Sequence, residues 1–173
     1  MKMCLYFNQT ELDHSQVTKV VDEHHHTRFL IMGTWGIAGD SFTIYSPQGI
    51  EILEIKQLTA GKNAAFTILA NKTPVMKSNW HRSFLATEMV LLSSSWQAIG
   101  NRRTQKYQIR QYTKLIAKAE PFGRNGQWRQ VCLMDNESTP IVLALIAALG
   151  HPQMMPLFGR HKKVTQQPDT FGV

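Results

Sequence analysis

The densest group of chemistry-bearing side chains in this chain is the run Asp22-Glu23-His24-His25-His26. Alternate residues of a strand share a face, so His24 and His26 would project together and, with Asp22, could ligate a metal. No distant Cys, His or carboxylate completes such a set at an evident spacing. The plainer reading is a solvated hairpin turn between strands near 15–22 and 27–34, and no metal or other cofactor is assigned. Nucleophilic chemistry finds less support. Ser93-Ser94-Ser95 lacks the glycines of a nucleophile elbow. Cys132 lies between Val131 and Leu133 with no activating neighbour, and Asp13, His14 and Glu137 stand isolated. Gly123-Arg124-Asn125-Gly126 reads as a hairpin turn and not as a phosphate-cradling loop. The sequence therefore predicts a protein that is not an enzyme.

The basic residues carry more. Lys and Arg number 19 against 12 Asp and Glu, a net charge of +7 with pI near 9.6. Arg102, Arg103 and Lys106 lie in and beside one turn, Lys114 and Lys118 follow, and Arg124 and Arg129 bracket another. Arg160, Lys162 and Lys163 fall near the C-terminus. Gathered at one end of a domain, Arg102, Arg103, Lys106, Arg124 and Arg129 would hold an anionic lipid headgroup or a nucleic-acid backbone. Each surface charge contributes about 1 kcal/mol near anionic lipid. Stacking on bases would need exposed aromatic rings, and Trp96, Tyr107 and Trp128 are expected to be partly buried. Trp35 and Trp80 read as core or rim packing. The competing reading is a set of solvated turns that keep strand edges soluble.

These residues need elements to hold them. Thr139-Pro-Ile-Val-Leu-Ala-Leu-Ile-Ala-Ala-Leu149 predicts a helix, with Thr139 as N-cap, Pro140 at the first helical position and Gly150 in the C′ place. It is apolar on every side, so protein or lipid must surround it. About 11 residues at roughly 1.5 Å each cover only half of a ~30 Å hydrocarbon core, which favours protein. Everything before Ser138 alternates with period two. About a dozen strands are expected, near 2–8, 15–22, 27–34, 40–46, 50–57, 64–70, 73–80, 87–94, 96–101, 104–112, 114–120 and 127–135. A weak repeat, Phe42-Thr-Ile44, Phe66-Thr-Ile68 and Tyr107-Gln-Ile109, suggests a meander of consecutive strands. A flat sheet of that size would leave edges exposed and could not enclose the helix. The expected architecture is a closed antiparallel barrel of about twelve strands around the helix, with Phe42, Ile44, Phe66, Ile68, Tyr107, Ile109 and Leu115 pointing inward.

A chain of 173 residues is most simply one domain, placed at 1–158, followed by a polar basic tail at 159–173. Cys4 and Cys132 make no disulfide framework and read as small buried hydrophobes. The start, Met1 to Asn8, turns polar too soon for a secretory signal, and no run reaches transmembrane length. The expected location is cytoplasmic, with attachment to a membrane only at its periphery.

Several segments resemble the LURP-one-related family, in the form of its small bacterial stand-alone members. They are Gly33-Thr-Trp-Gly36, Gly39-Asp-Ser-Phe-Thr-Ile-Tyr45, Gly49, Glu54-Ile-Lys-Gln57 and Ile99-Gly-Asn101 with Tyr107-Gln-Ile109. The terminal apolar helix resembles the family's too, and the similarity spans roughly residues 1 to 155. The family shares its fold with tubby C-terminal domains and phospholipid scramblases. The resemblance implies a twelve-stranded barrel about a central hydrophobic helix. It carries no catalytic signature, and no tubby lipid-site motif maps onto this chain residue by residue. The functional expectation is a non-catalytic binding protein of unknown ligand, associated with anionic membrane lipid through its basic turns. The alternative is an adaptor for another protein or for nucleic acid.

Overall fold

Alternation of apolar and polar side chains becomes strand after strand in the computed structural model, which describes residues 3–60, 64–82 and 87–151. In chain order the elements are β1 (Met3–Asn8), α1 (Gln9–Ser15), β2 (Val17–Val21), β3 (Thr27–Gly33), β4 (Ser41–Tyr45), β5 (Glu51–Thr59) and β6 (Ala65–Ala70). There follow β7 (Thr73–Arg82), β8 (Thr87–Leu92), a 3-10 turn at Ser93–Ser95, β9 (Trp96–Asn101), β10 (Lys106–Gln111), β11 (Lys114–Phe122), β12 (Trp128–Leu133) and α2 (Thr139–Leu149). The fold is mainly β, its strands antiparallel, with two helices. The tail expected at 159–173 and the last residues of the expected domain lie outside the described residues.

Consecutive strands pair, and β1 pairs with β12, so the sheet curls around α2. The curl is not an evenly closed barrel, and here the expectation needs correction. Every other pair of neighbours shares a ladder of several residues, but β1 and β2 have a single ladder pair, Tyr6 and Val21. The reason is local. A helix, not a tight turn, joins these two strands, so no hairpin zips them together. Beside the meeting point, β2 also slips in register against β3 between Val20 and Val21. The amide of Asn8 turns instead to the Thr18 hydroxyl, at 3.4 Å.

Helix α2 fills the interior. Val142 through Leu149 are all buried, as the apolar composition requires. Burying each Leu or Ile side chain contributes about 1.5–3 kcal/mol. The repeated triplets supply the wall: Phe42, Ile44, Phe66, Ile68, Tyr107 and Ile109 all point inward and are buried. Leu115 does not join them. A register shift beside Ile109 and Arg110 turns the alternation of β11, and Ile116 and Ala117 are buried in its place.

The helix bounds match the expected ones, but two caps differ. Ser138 is the N-cap, and Thr139 is the first helical residue, its hydroxyl donating to the Asn136 carbonyl at 2.7 Å. Gly150 stays right-handed, with φ −76°. It is glycine for lack of space, since a Cβ there would lie 2.6 Å from Gln9 Oε1.

The cysteines also need correction. Cys4 and Cys132 stand opposite each other in the β1–β12 register, with Cα atoms 4.1 Å apart, and they form a disulfide. Their sequence separation of 128 hides the pairing from any local reading.

Candidate functional site

Strand direction sorts the turns into two ends. β1 runs toward α1, and its last residue, Asn8, pairs with Trp128. Trp128 in turn pairs with Phe122, so the 123–127 turn lies at the α1 end. The Gln9 amide donates to the Gln127 carbonyl at 2.9 Å, tying α1 to that turn. Lys106 pairs with Asn101, and Tyr107 with Ala119, which brings the 102–105 turn to the same end. The structure therefore gathers four of the five expected anion-binding residues, Arg102, Arg103, Lys106 and Arg124, on or beside two turns at one end.

Arg129 is the bridge between these turns and not part of their exposed surface. Only 7% of it is exposed. Its Nη1 donates to the Gly126 carbonyl at 2.9 Å, and its Nη2 to Gln105 Oε1 at 3.2 Å. Gln105 in turn donates to the Arg102 carbonyl at 2.7 Å. Burial pulls the Arg129 pKa down, while Tyr107 and Asp13 push it back up. It ties the two turns together from beneath, and it is not among their exposed cations. Lys106 stays exposed but faces Glu120 at 3.9 Å, which weakens its call on a ligand.

The C-terminus of α2 emerges at this same end. Gln9 Nε2 donates to the Ala147 carbonyl and the Tyr107 hydroxyl to the Leu149 carbonyl, both at 3.4 Å. Helix α1, missed because seven residues are too few to show periodicity, supplies Gln9 and Asp13. Its signal was present in Asn8 and Glu11: the Asn8 side chain accepts from the Glu11 amide at 2.9 Å, as an N-cap does. Asp13 Oδ1 lies 3.5 Å from His151 Nε2, and Gln9 also donates to it. Burial raises the Asp13 pKa against the opposing pull of Gln9 and His151. Burial lowers that of His151, against Asp13 and Asp40. A cleft of about 370 Å³ opens beside the pair, with Thr34, Trp35 and Asp40 in its walls. The pair lies beside the last turn of α2, whose Ala147 carbonyl Gln9 also reaches.

No family model matches this chain, and no curated protein matches it significantly. A crystal structure of a protein from Arabidopsis thaliana is similar, with a TM-score of 0.57. The two chains are 8% identical, over 86% of this chain and 89% of the other. That likeness is one of fold.

The histidine run forms the β2–β3 turn. Asp22 Oδ1 accepts from the amides of His24 and His26 at 2.9 and 3.0 Å. Desolvation pushes the Asp22 pKa up, but these two amides and the nearby imidazoles outweigh it and hold the pKa down. Among the described residues, no group of three or more His, Cys, Asp or Glu is arranged to hold a metal. Of the aromatic residues, Trp35 is buried and stacks on Phe42 at 5.5 Å, and Trp96 and Tyr107 are buried as well. Trp128 is partly buried, with 37% of it exposed at an outward position of β12. The Trp80 side chain is outside the described ones.

Proposed function

We propose that this is a non-catalytic binding protein that attaches to anionic lipid headgroups through the two turns at its α1 end. The observation that carries this reading is the Gly126–Arg129–Gln105 bridge, which holds the turns bearing Arg102, Arg103 and Arg124 side by side. Three guanidinium groups offer about 1 kcal/mol each near an anionic surface, and an arginine fork matches phosphate geometry. Among the described residues, no helix is long and apolar enough to cross a membrane, so the attachment is peripheral in this reading. We also read the curled sheet and its central helix as a tubby-like barrel of the LURP-one-related kind; the Arabidopsis likeness supports the fold and leaves the family as a proposal.

Sedimentation with liposomes tests the binding. The protein should pellet with anionic vesicles at physiological salt and remain soluble with neutral ones. Replacing Arg102, Arg103 and Arg124 together by Gln should lower vesicle affinity roughly hundredfold. Unchanged binding by that variant would sink the proposal. Retention on nucleic acid without any vesicle binding would favour the adaptor reading.

A further inference from the structure

On the outer wall beside the β1–β2 seam lies a cleft of about 440 Å³, within the range of small-ligand sites. Its walls are aromatic: Tyr6, Phe122 and Trp128 all line it. Tyr6 and Phe122 stand 5.1 Å apart between ring centroids, tilted by 58°. The Tyr6 hydroxyl is fixed by a 2.9 Å bond from Gln130 Nε2. Phe122 and Trp128 are 49% and 37% exposed, large apolar surface for residues that flank a hairpin turn. The cleft exists because of the stagger at the seam. The turn at Asp22–His25 is brought against the Phe122 and Trp128 side of the neighbouring strands, which no sequence spacing connects.

The polar part of the lining is acidic. Asp22 and Glu23 both face the cleft, with His25 beside them, and no Lys or Arg is among the lining residues. In a chain of net charge +7 this is a local reversal of sign. Asp22 is partly engaged already, with His26 Nδ1 at 3.7 Å and Arg28 Nη1 at 3.9 Å from its Oδ2. Glu23 is exposed and adds the second carboxylate.

We propose that this cleft binds a small methylated ammonium cation against the rings of Tyr6, Phe122 and Trp128, with Glu23 and Asp22 supplying the opposing charge. Aromatic faces carry negative charge density that attracts cations, most effectively when the cation sheds water easily. A quaternary ammonium group does so, and its methyl groups also bury against the rings. A metal ion or a primary ammonium would hold its water and gain little from aromatic walls. The cleft borders the Arg124-bearing turn at Gly123, but no guanidinium lines it, and its carboxylates give it the opposite charge preference.

The test is titration of the full chain with tetramethylammonium and with choline, read by tryptophan fluorescence and by the Trp128 indole N–H signal in NMR. The control is 3,3-dimethyl-1-butanol, which has the shape of choline without its charge. The cations should bind and shift the Trp128 signal, and the neutral alcohol should bind at least tenfold more weakly. Trp128→Ala should reduce cation affinity roughly tenfold and Trp128→Phe by less, while Glu23→Gln should weaken it about threefold. Lys114→Gln, at the opposite end of β11, should leave it unchanged. Equal binding of the alcohol, no binding of either cation at millimolar concentration, or cation binding indifferent to Trp128→Ala in a variant with a native NMR spectrum would each overturn the proposal.

Discussion

At the scale of single residues, Arg129 and His151 show how a polar group changes meaning once buried. The guanidinium of Arg129 reaches Gly126 and Gln105 across two turns, a span that a shorter side chain cannot replace. Arg129→Ala should therefore destabilise the fold by about 1–3 kcal/mol, because it empties a buried side-chain position and leaves two half-buried acceptors without their donor. Chemical denaturation checks this, and a loss under 0.5 kcal/mol, roughly that of an ordinary surface change, would refute the bridging role. His151 makes a prediction in pH. Its folded pKa lies below the ordinary 6.5, so its stabilising contribution is full above that value and is lost as pH falls through the folded value. Asp13 runs the other way: its folded pKa lies above 3.8, so its contribution is full below 3.8 and is lost as pH rises through the folded value. Calorimetry at pH 7 and pH 5 should thus show a larger fall in Tm for the natural chain than for His151→Gln. Equal falls would mean that His151 is not buried in neutral form.

At the scale of elements, the fit between neighbouring strands is tightest where a large side chain crosses a small one. Gly100 on β9 lies opposite Tyr107 on β10, and a Cβ at Gly100 would run into the tyrosine ring and sit 2.6 Å from the Lys106 carbonyl. Tyr107 cannot swing aside freely, because its hydroxyl holds the end of α2. Gly100→Ala should cost about 1–3 kcal/mol, read as a lower denaturation midpoint with an unchanged slope. A neutral result would contradict this packing. The strands themselves were legible because each alternation is local: Phe42 and Ile44, or Phe66 and Ile68, declare their inward face unaided. Leu115 was misplaced because a register slip lies between strands, where no single strand records it. Helix α1 left only the Asn8 and Glu11 cap as a clue.

At the scale of the whole molecule, the disulfide joins the first strand to the last. Cys4–Cys132 spans a separation of 128 residues, and in the chain-entropy account a loop of this size stabilises by about 4–5 kcal/mol. Reduction should lower Tm by roughly 10 °C, and scanning calorimetry with and without reductant would show it. An unchanged Tm would mean that the β1–β12 ladder holds without the bond. Disulfides persist in oxidising compartments and are rare in the cytosol. The bond and the cytoplasmic expectation therefore pull in opposite directions, and the thiol state in the native compartment decides between them.

The amino-acid sequence by itself determined the strand succession, the bounds of α2 and the burial of that helix, because hydrophobic periodicity and helix punctuation are written in neighbouring residues. It also marked the guanidinium-bearing turns. Only the tertiary structure decided that Arg129 turns inward, that the two cysteines meet, that β1 and β2 pair at a single position, and that Tyr6, Phe122 and Trp128 share a cleft with Asp22 and Glu23. Each of these depends on register and stagger between strands far apart in the chain. A slip of one residue would send every side chain of a strand to the other face.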